Sequence, residues 1–170
     1  MPLTLDALNA LDRVAFVSVL GPLFEHSPWV ADETYDKRPF HSLDELHAAL
    51  CATMRAASGD RQLALIRAHP DLAGRLAQAG QLTADSTKEQ AAAGLDRLTA
   101  AEAAEIQALN DAYKAHFSFP FIICARLNAK GAILASMRAR QAGSLEQEHS
   151  TALGEIAKIA RLRLNEAVTA

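Results

Sequence analysis

Three times along this chain a serine or threonine is followed, three residues later, by glutamate or glutamine at the head of an amphipathic run: Ser42 with Glu45, Thr99 with Glu102, and Ser144 with Gln147. In that spacing the hydroxyl accepts a first-turn backbone N–H while the longer side chain reaches back to the cap, so each pair marks a helix start. The runs that follow, 43–57, 100–116 and 145–167, are rich in Ala, Leu, Glu and Arg, which lose little freedom in a helix. No alternating β-branched stretch of strand length appears. Further helices are expected at 12–24, 61–68, 71–79, 86–93 and 130–142. Gly59, Gly80, Gly94 and Gly143 read as helix ends, because glycine adopts a left-handed terminal conformation without penalty. The 170 residues suffice for one sizeable core. The expectation is an all-α, single-domain helical bundle of about eight to nine helices, spanning residues 1–170.

Composition narrows the partners. Half of the residues are hydrophobic and 22% are charged, which is not the balance of a disordered chain. Net charge is −3, aromatics are 5% and no basic run stands out, so no nucleic acid partner is expected: neutralising phosphates takes clustered Lys and Arg. No apolar run approaches the roughly 20 residues that cross a bilayer, so no membrane partner is expected either. Met1-Pro2-Leu3-Thr4 lacks a basic-then-apolar signal, and Ala167-Val168-Thr169-Ala170 is no peroxisomal address. Cys51 and Cys124 sit among apolar residues without CxxC spacing and read as buried free thiols of a reducing compartment. The expected location is cytoplasmic.

Two segments break the helical pattern. Ser27 to Phe40 holds two prolines and the one tryptophan and reads as an ordered loop across the helices. Pro120 disfavours helical geometry at Phe119, so the long helix should stop near His116 and leave Phe117–Cys124 irregular, with amide groups turned toward whatever lies beside them.

The chemistry-bearing residues fall near these breaks. His69 ends an apolar helical stretch and precedes Pro70, which is placed to open the next helix. An imidazole at such a junction either moves a proton near neutrality or simply bonds a helix end. Ser86-Thr87-Lys88-Glu89-Gln90 has the spacing of a capping box, yet a helix N-terminus bearing Ser86, Glu89 and Gln90 also suits a bound carboxylate or urea carbonyl. Gln90 offers both a donor and an acceptor. On the last helix, at about 100° per residue, Arg163 falls within the apolar arc of Leu153, Ile156, Ile159, Ala160 and Leu164, whereas Arg161 falls outside it. Arg163 therefore meets either an anionic substrate or a buried acid. Glu25-His26 reads as a surface or capping pair. The six histidines lack metal-ligand spacing, and no glycine-rich nucleotide loop or nucleophile elbow is present, so no metal or cofactor is signalled.

Taken in order, several fragments resemble the family of 2-oxo-4-hydroxy-4-carboxy-5-ureidoimidazoline (OHCU) decarboxylases, which act at the last step of urate breakdown to allantoin. They are Phe24-Glu25-His26-Ser27-Pro28-Trp29, Arg38-Pro39-Phe40, His69-Pro70-Asp71-Leu72-Ala73, Ser86 with Glu89-Gln90, Leu109-Asn110-x-x-Tyr113, Phe117-x-Phe119-Pro120-Phe121-Ile122 and Ile159-Ala160-x-x-Arg163-Leu164. The resemblance implies an all-helical homodimer without metal or organic cofactor. It matches His69 to the catalytic histidine and gives Glu89 a share in proton transfer. Pro70, the stretch Ser86, Thr87, Lys88, Glu89, Gln90, the wall Phe121, Ile122, Ile123, Cys124, Ala125, and Arg163 match substrate contacts. One departure is Ser118, where the family pattern has glycine between the two phenylalanines. The implied substrate, a ureidoimidazoline carboxylate, carries its carboxylate next to a ring C=N that accepts the released electrons, so no cofactor is needed as a sink. The product is (S)-allantoin. Two rival readings are a non-catalytic all-α dimerisation or binding module, and a hydrolase of another cyclic ureide.

Overall fold

Short polar side chains open most of the helices. The computed structural model describes residues 2–170, Leu76 by its backbone alone. The fold is all-α apart from a parallel bridge of β1 (Leu3–Thr4) with β2 (Val168–Thr169). The described chain divides into two compact units: one runs up to Ala68 and resumes at Ile156–Ala170, the other is His69–Glu155.

In the first unit, Thr4 caps α1 (Leu5–Asn9) and Asp12 caps α2 (Arg13–Leu20). The helix expected to reach residue 24 ends at Leu20 and tightens into a 3₁₀ turn at Gly21–Leu23, since Pro22 has no N–H to continue the ladder. The segment expected as a loop is mostly helical: α3 (Trp29–Thr34) follows directly on Pro28, whose φ of −63° already suits a helix, and a 3₁₀ turn at Tyr35–Lys37 ends it. Its prolines flank helix rather than excluding it. Arg38 lies 3.5 Å over the Tyr35 ring and donates to the Asn9 and Leu11 carbonyls, which ties that turn back to the end of α1. Ser42 caps α4 (Leu43–Ala56) as expected, although Glu45 reaches the N–H of His41 instead of Ser42. Gly59 opens α5 (Gly59–Ala68) and does not end a helix; Ser58, whose hydroxyl accepts the Arg61 N–H, was the usable signal. Phe16, Leu20, Leu46, Leu50, Met54 and Leu65 are wholly buried in this unit.

In the second unit the helix expected over 71–79 shrinks to α6 (Arg75–Gln78), and Pro70 opens no helix. Gly74 caps α6 where only glycine fits: a Cβ there would come within 2.7 Å of the Asp71 Cβ. Next come α7 (Ala84–Ala92), α8 (Ala100–Phe117), α9 (Lys130–Arg140) and α10 (Leu145–Ala167), whose second half belongs to the first unit. Thr99–Glu102 and Ser144–Gln147 form reciprocal capping pairs as expected. Gly80 and Gly94, at φ +66° and +79°, follow the ends of α6 and α7. α8 packs on α9, around a cluster in which Tyr113 meets Phe117, Phe119 and Phe121 at ring distances of 4.5, 6.0 and 5.4 Å.

α8 runs one residue past His116 and stops on Ser118 in a left-handed conformation, φ 63° and ψ 19°. An L-residue is strained there and glycine is not. Ser118→Gly is therefore expected to stabilise the protein by about 0.5–1 kcal/mol, read as a higher urea midpoint; a lower midpoint would mean that the serine side chain outweighs its backbone strain.

Candidate active site

His69 is the first residue past α5, and the proline after it bars a further helical turn at this position. It is 8% exposed. Beyond Pro70 the chain makes a tight turn, in which the Gly74 N–H donates to the Asp71 carbonyl at 3.4 Å and Ala73 takes a left-handed φ of 49°. Side chains of α7 and α8 fasten this turn. The Ala73 N–H donates to Gln90 Oε1 at 2.8 Å, Asn110 Nδ2 donates to the Leu72 carbonyl at 2.9 Å, and Lys114 Nζ meets Asp71 Oδ2 at 2.6 Å.

The capping reading of Ser86 is displaced by Thr83, whose hydroxyl accepts the Ser86 N–H at 3.2 Å. Thr83 also stands three residues before Ser86, and Ala84 and Asp85 leave room for a first turn that the Ser86 reading omits. Glu89 and Gln90 thus lie in the second turn of α7, beyond the unpaired amides of its first turn. Ser86, Glu89 and Gln90 share a face by their spacing of three and four. Ser86 and Gln90 are buried and Glu89 is half-buried, whereas Thr87 and Lys88 are exposed. Thr87 Oγ1 donates back to the Thr83 carbonyl. Ala73, Thr87 and Gln90, with Leu82, Leu95 and Leu98, line a cavity of ≈ 420 Å³ whose described lining does not include His69, Ser86 or Glu89.

The strip Phe119–Cys124 is buried although it is not helical, and buried Ala125 follows it at the start of a 3₁₀ turn. Two of the main-chain groups expected to face a ligand are engaged instead by side chains: the Cys124 N–H donates to Glu155 Oε2 at 2.8 Å, and Arg140 Nη1 donates to the Ile122 carbonyl at 2.7 Å. Arg140 also lies 4.2 Å over the Phe121 ring and bonds Glu148, which accepts the Tyr113 hydroxyl at 2.5 Å. Burial, and then the bond to Glu148, push the Tyr113 hydroxyl well above the usual phenol range, so it stays protonated as the donor. α7 packs against the 3₁₀ turn Ala125–Leu127. One unit therefore contains His69, Pro70, the α7 set and the strip Phe121–Ala125, with Gln90 joining α7 to the His69 turn.

Arg163 lies in the other unit. Its Nη1 meets Glu25 Oε2 at 3.0 Å, with side-chain exposures of 4% and 2%, and donates to the Pro22 carbonyl at 3.2 Å. The buried acid foreseen as one alternative for Arg163 is therefore Glu25. Glu25 is no surface residue, and only its neighbour His26 is exposed. The apolar arc of α10 required this partner, because an unpaired guanidinium is not tolerated there. Arg161, outside the arc, pairs with exposed Asp44 at 2.5 Å.

Asn110, Arg140, Glu148 and Glu155 were not singled out from sequence as parts of the site. A signal existed for the two acids: Glu148, Ala152, Glu155 and Ile159 follow one another at spacings of four, three and four, a single stripe of α10 that is buried throughout. Asn110 stood in the sequence only as part of the Leu109-Asn110-x-x-Tyr113 fragment, with no role attached, and Arg140 left no comparable trace.

The class to which this chain is similar is that of decarboxylases acting on a ureidoimidazoline. A family model described as OHCU decarboxylase matches residues 9–165. The 2-oxo-4-hydroxy-4-carboxy-5-ureidoimidazoline decarboxylase of Halalkalicoccus jeotgali is 44% identical over 164 residues, 96% of this chain and 91% of the relative. The enzyme of that name from Haloferax volcanii is 43% identical, over 96% and 95%. Among solved structures, that of an (S)-allantoin synthase superposes with a TM-score of 0.80 at 30% identity, covering 99% of this chain and 54% of the other, so this chain spans about half of that protein. The chain belongs to the OHCU decarboxylase family.

Proposed function

We propose that this protein decarboxylates 2-oxo-4-hydroxy-4-carboxy-5-ureidoimidazoline to (S)-allantoin and CO₂, the closing step of urate degradation, without a cofactor. It is a carboxy-lyase whose work is orientation, desolvation and one directed proton. The C–CO₂ bond breaks, its electron pair forms a C=C bond to the carbon of the adjacent ring C=N, and the C=N pair moves to the ring nitrogen, which takes up a proton from solvent. A second proton, added to one face of the former C=N carbon, sets the configuration, and the hydroxyl left on the neighbouring carbon loses its proton as the carbonyl forms. His69, held nearly out of solvent, orients the carboxylate and delivers the proton; Glu89 accepts the hydroxyl proton. Ser86 and Arg163 hold carbonyl groups of the substrate, and Pro70 with Phe121–Ala125 forms the wall. Because Gln90 Oε1 already accepts the Ala73 N–H, its NH₂ is the end it offers, and it donates to a substrate carbonyl or carboxylate.

The observation that supports this reading most is a family match running from residue 9 to 165, across both units, with relatives matched over nearly their whole length. In the same reading residues 1–170 act as one domain, the protein is a cytoplasmic homodimer, and Thr87 and Lys88 contact substrate. Among the described residues no helix is long and apolar enough to cross a membrane. Release of labelled CO₂ from carboxylate-labelled substrate tests the reaction directly; ring opening by water without CO₂ would favour a hydrolase. Sedimentation at micromolar concentration tests the dimer.

Gln90→Glu separates two duties of one side chain. An oxygen remains for the Ala73 N–H, but the donor is lost and a negative charge faces an anionic substrate. KM is expected to rise about ten- to a hundredfold with the fold intact. A KM within about twofold of the parent would remove Gln90 from the substrate contacts.

A further inference from the structure

We propose that Asn110 is a positioning residue of this site: by holding the Leu72 carbonyl it fixes the course of the chain that leaves His69. The proposal rests on the assignment of His69 to the substrate given above. Asn110 lies on α8 and is 1% exposed; its Nδ2 donates to the Leu72 carbonyl across 38 residues of sequence. Its Oδ1, also buried, has no hydrogen-bond partner among the described residues. A buried amide with one end unpaired is a stability liability, and a leucine of similar size would carry none. What the amide contributes is a single donor, placed two residues beyond Pro70.

That donor is one of three. Lys114, one turn further along α8, holds Asp71, and Gln90 of α7 holds the Ala73 N–H, so three consecutive residues after Pro70 are each gripped by a side chain. The grip has something to oppose, since Ala73 sits at φ 49°, which an alanine leaves readily when free to do so. The three grips are not equivalent. The Lys114–Asp71 pair is partly solvent-exposed and screened, with the Lys114 side chain 42% exposed. Gln90 is itself assigned to the substrate. Asn110 alone joins deep burial to no assigned substrate contact, so its effect on turnover would pass through the turn and His69.

The test compares Asn110→Leu with the parent and with Asn110→Ser, which keeps a short donor and leaves room for a bridging water. Folded fraction is read by near-UV circular dichroism, kcat and KM by CO₂ release, and the Ala73 amide by hydrogen exchange. Per folded molecule, Asn110→Leu is expected to lose about ten- to a hundredfold in kcat, the scale of a small misplacement of a catalytic group, while KM stays within about threefold. Ala73 exchange should quicken, and Asn110→Ser should recover part of kcat. Unchanged kcat per folded molecule, with only a lower melting point, would overturn the proposal and leave Asn110 a packing residue. Should Asn110→Leu not fold, Asn110→Ser decides by the same split: kcat reduced at constant KM upholds the role, and kcat equal to the parent's ends it. A parent protein without turnover would overturn instead the reading of function on which this rests, and the exchange data would still report whether Asn110 holds the turn.

Discussion

Replacing His69 with alanine is expected to lower kcat per folded molecule by about 10²- to 10⁴-fold, the usual worth of a positioned acid or base. The imidazole is buried at the head of a turn in which Asp71, Leu72 and Ala73 are each held by a side chain, so the course of the chain beyond it does not depend on the imidazole alone. The substrate loses CO₂ slowly without help and is then protonated on either face, so the residual reaction should also lose its handedness: the His69→Ala product is expected to approach a racemate. Both readouts matter. A rate loss with full retention of the S configuration would mean that another group delivers the proton and that His69 only holds the carboxylate. A variant with near-parental kcat would take His69 out of the chemistry.

The largest expected effect on stability lies at Glu25. Glu25→Ala strands the Arg163 guanidinium, 4% exposed, without its acid, and is expected to destabilise the protein by about 3–5 kcal/mol. For a chain of this length that is a fall in melting point of roughly 6–20 °C. The double variant Glu25→Leu with Arg163→Met should recover much of that loss, because two apolar side chains in a buried site need no partners. The double variant should nevertheless be catalytically poor, since Arg163 is proposed to hold the substrate as well. Recovery of stability without recovery of turnover separates the two roles of the arginine. A single Glu25→Ala variant with an unchanged melting point would show that the ion pair is not buried as described.

How much of this was legible depended on whether the information was local. Helices announced by a cap and a period were readable nearly to the residue, as at Leu145–Ala167 and Ala100–Phe117, because hydroxyl, carboxylate and apolar stripe all lie within a few positions. Prolines misled in both directions. In the sequence Pro28 reads as loop punctuation, yet it stands at the start of α3, while Pro70 reads as a helix opener and starts a turn. A proline fixes one φ and removes one N–H, which both outcomes satisfy, and what decides between them at Pro70 is a set of side chains 17 to 43 residues from the positions they hold.

The same limit applies to the site. Arg163 stood out because a guanidinium on an apolar arc demands an acid, yet the wheel could not say that the acid is Glu25, 138 residues earlier. Ser86 looked like a cap because the box spacing is common, and Thr83 outcompeted it from the same distance. Gln90 could be named from sequence, but not that its oxygen is committed to Ala73. The roles of Asn110 and Arg140 were not readable at all, even though Asn110 belongs to the Leu109-Asn110-x-x-Tyr113 fragment: each is a single polar residue whose meaning is a long-range bond to a main-chain carbonyl.

The central claim is that this chain converts the unstable urate-derived ureidoimidazoline carboxylate into one enantiomer of allantoin. Generating that intermediate from urate with upstream enzymes, and following optical rotation with and without this protein, measures the claim in one trace. A rapid rise of the (S)-allantoin signal is expected only when the protein is present. The same slow, racemic appearance of allantoin in both samples would contradict it.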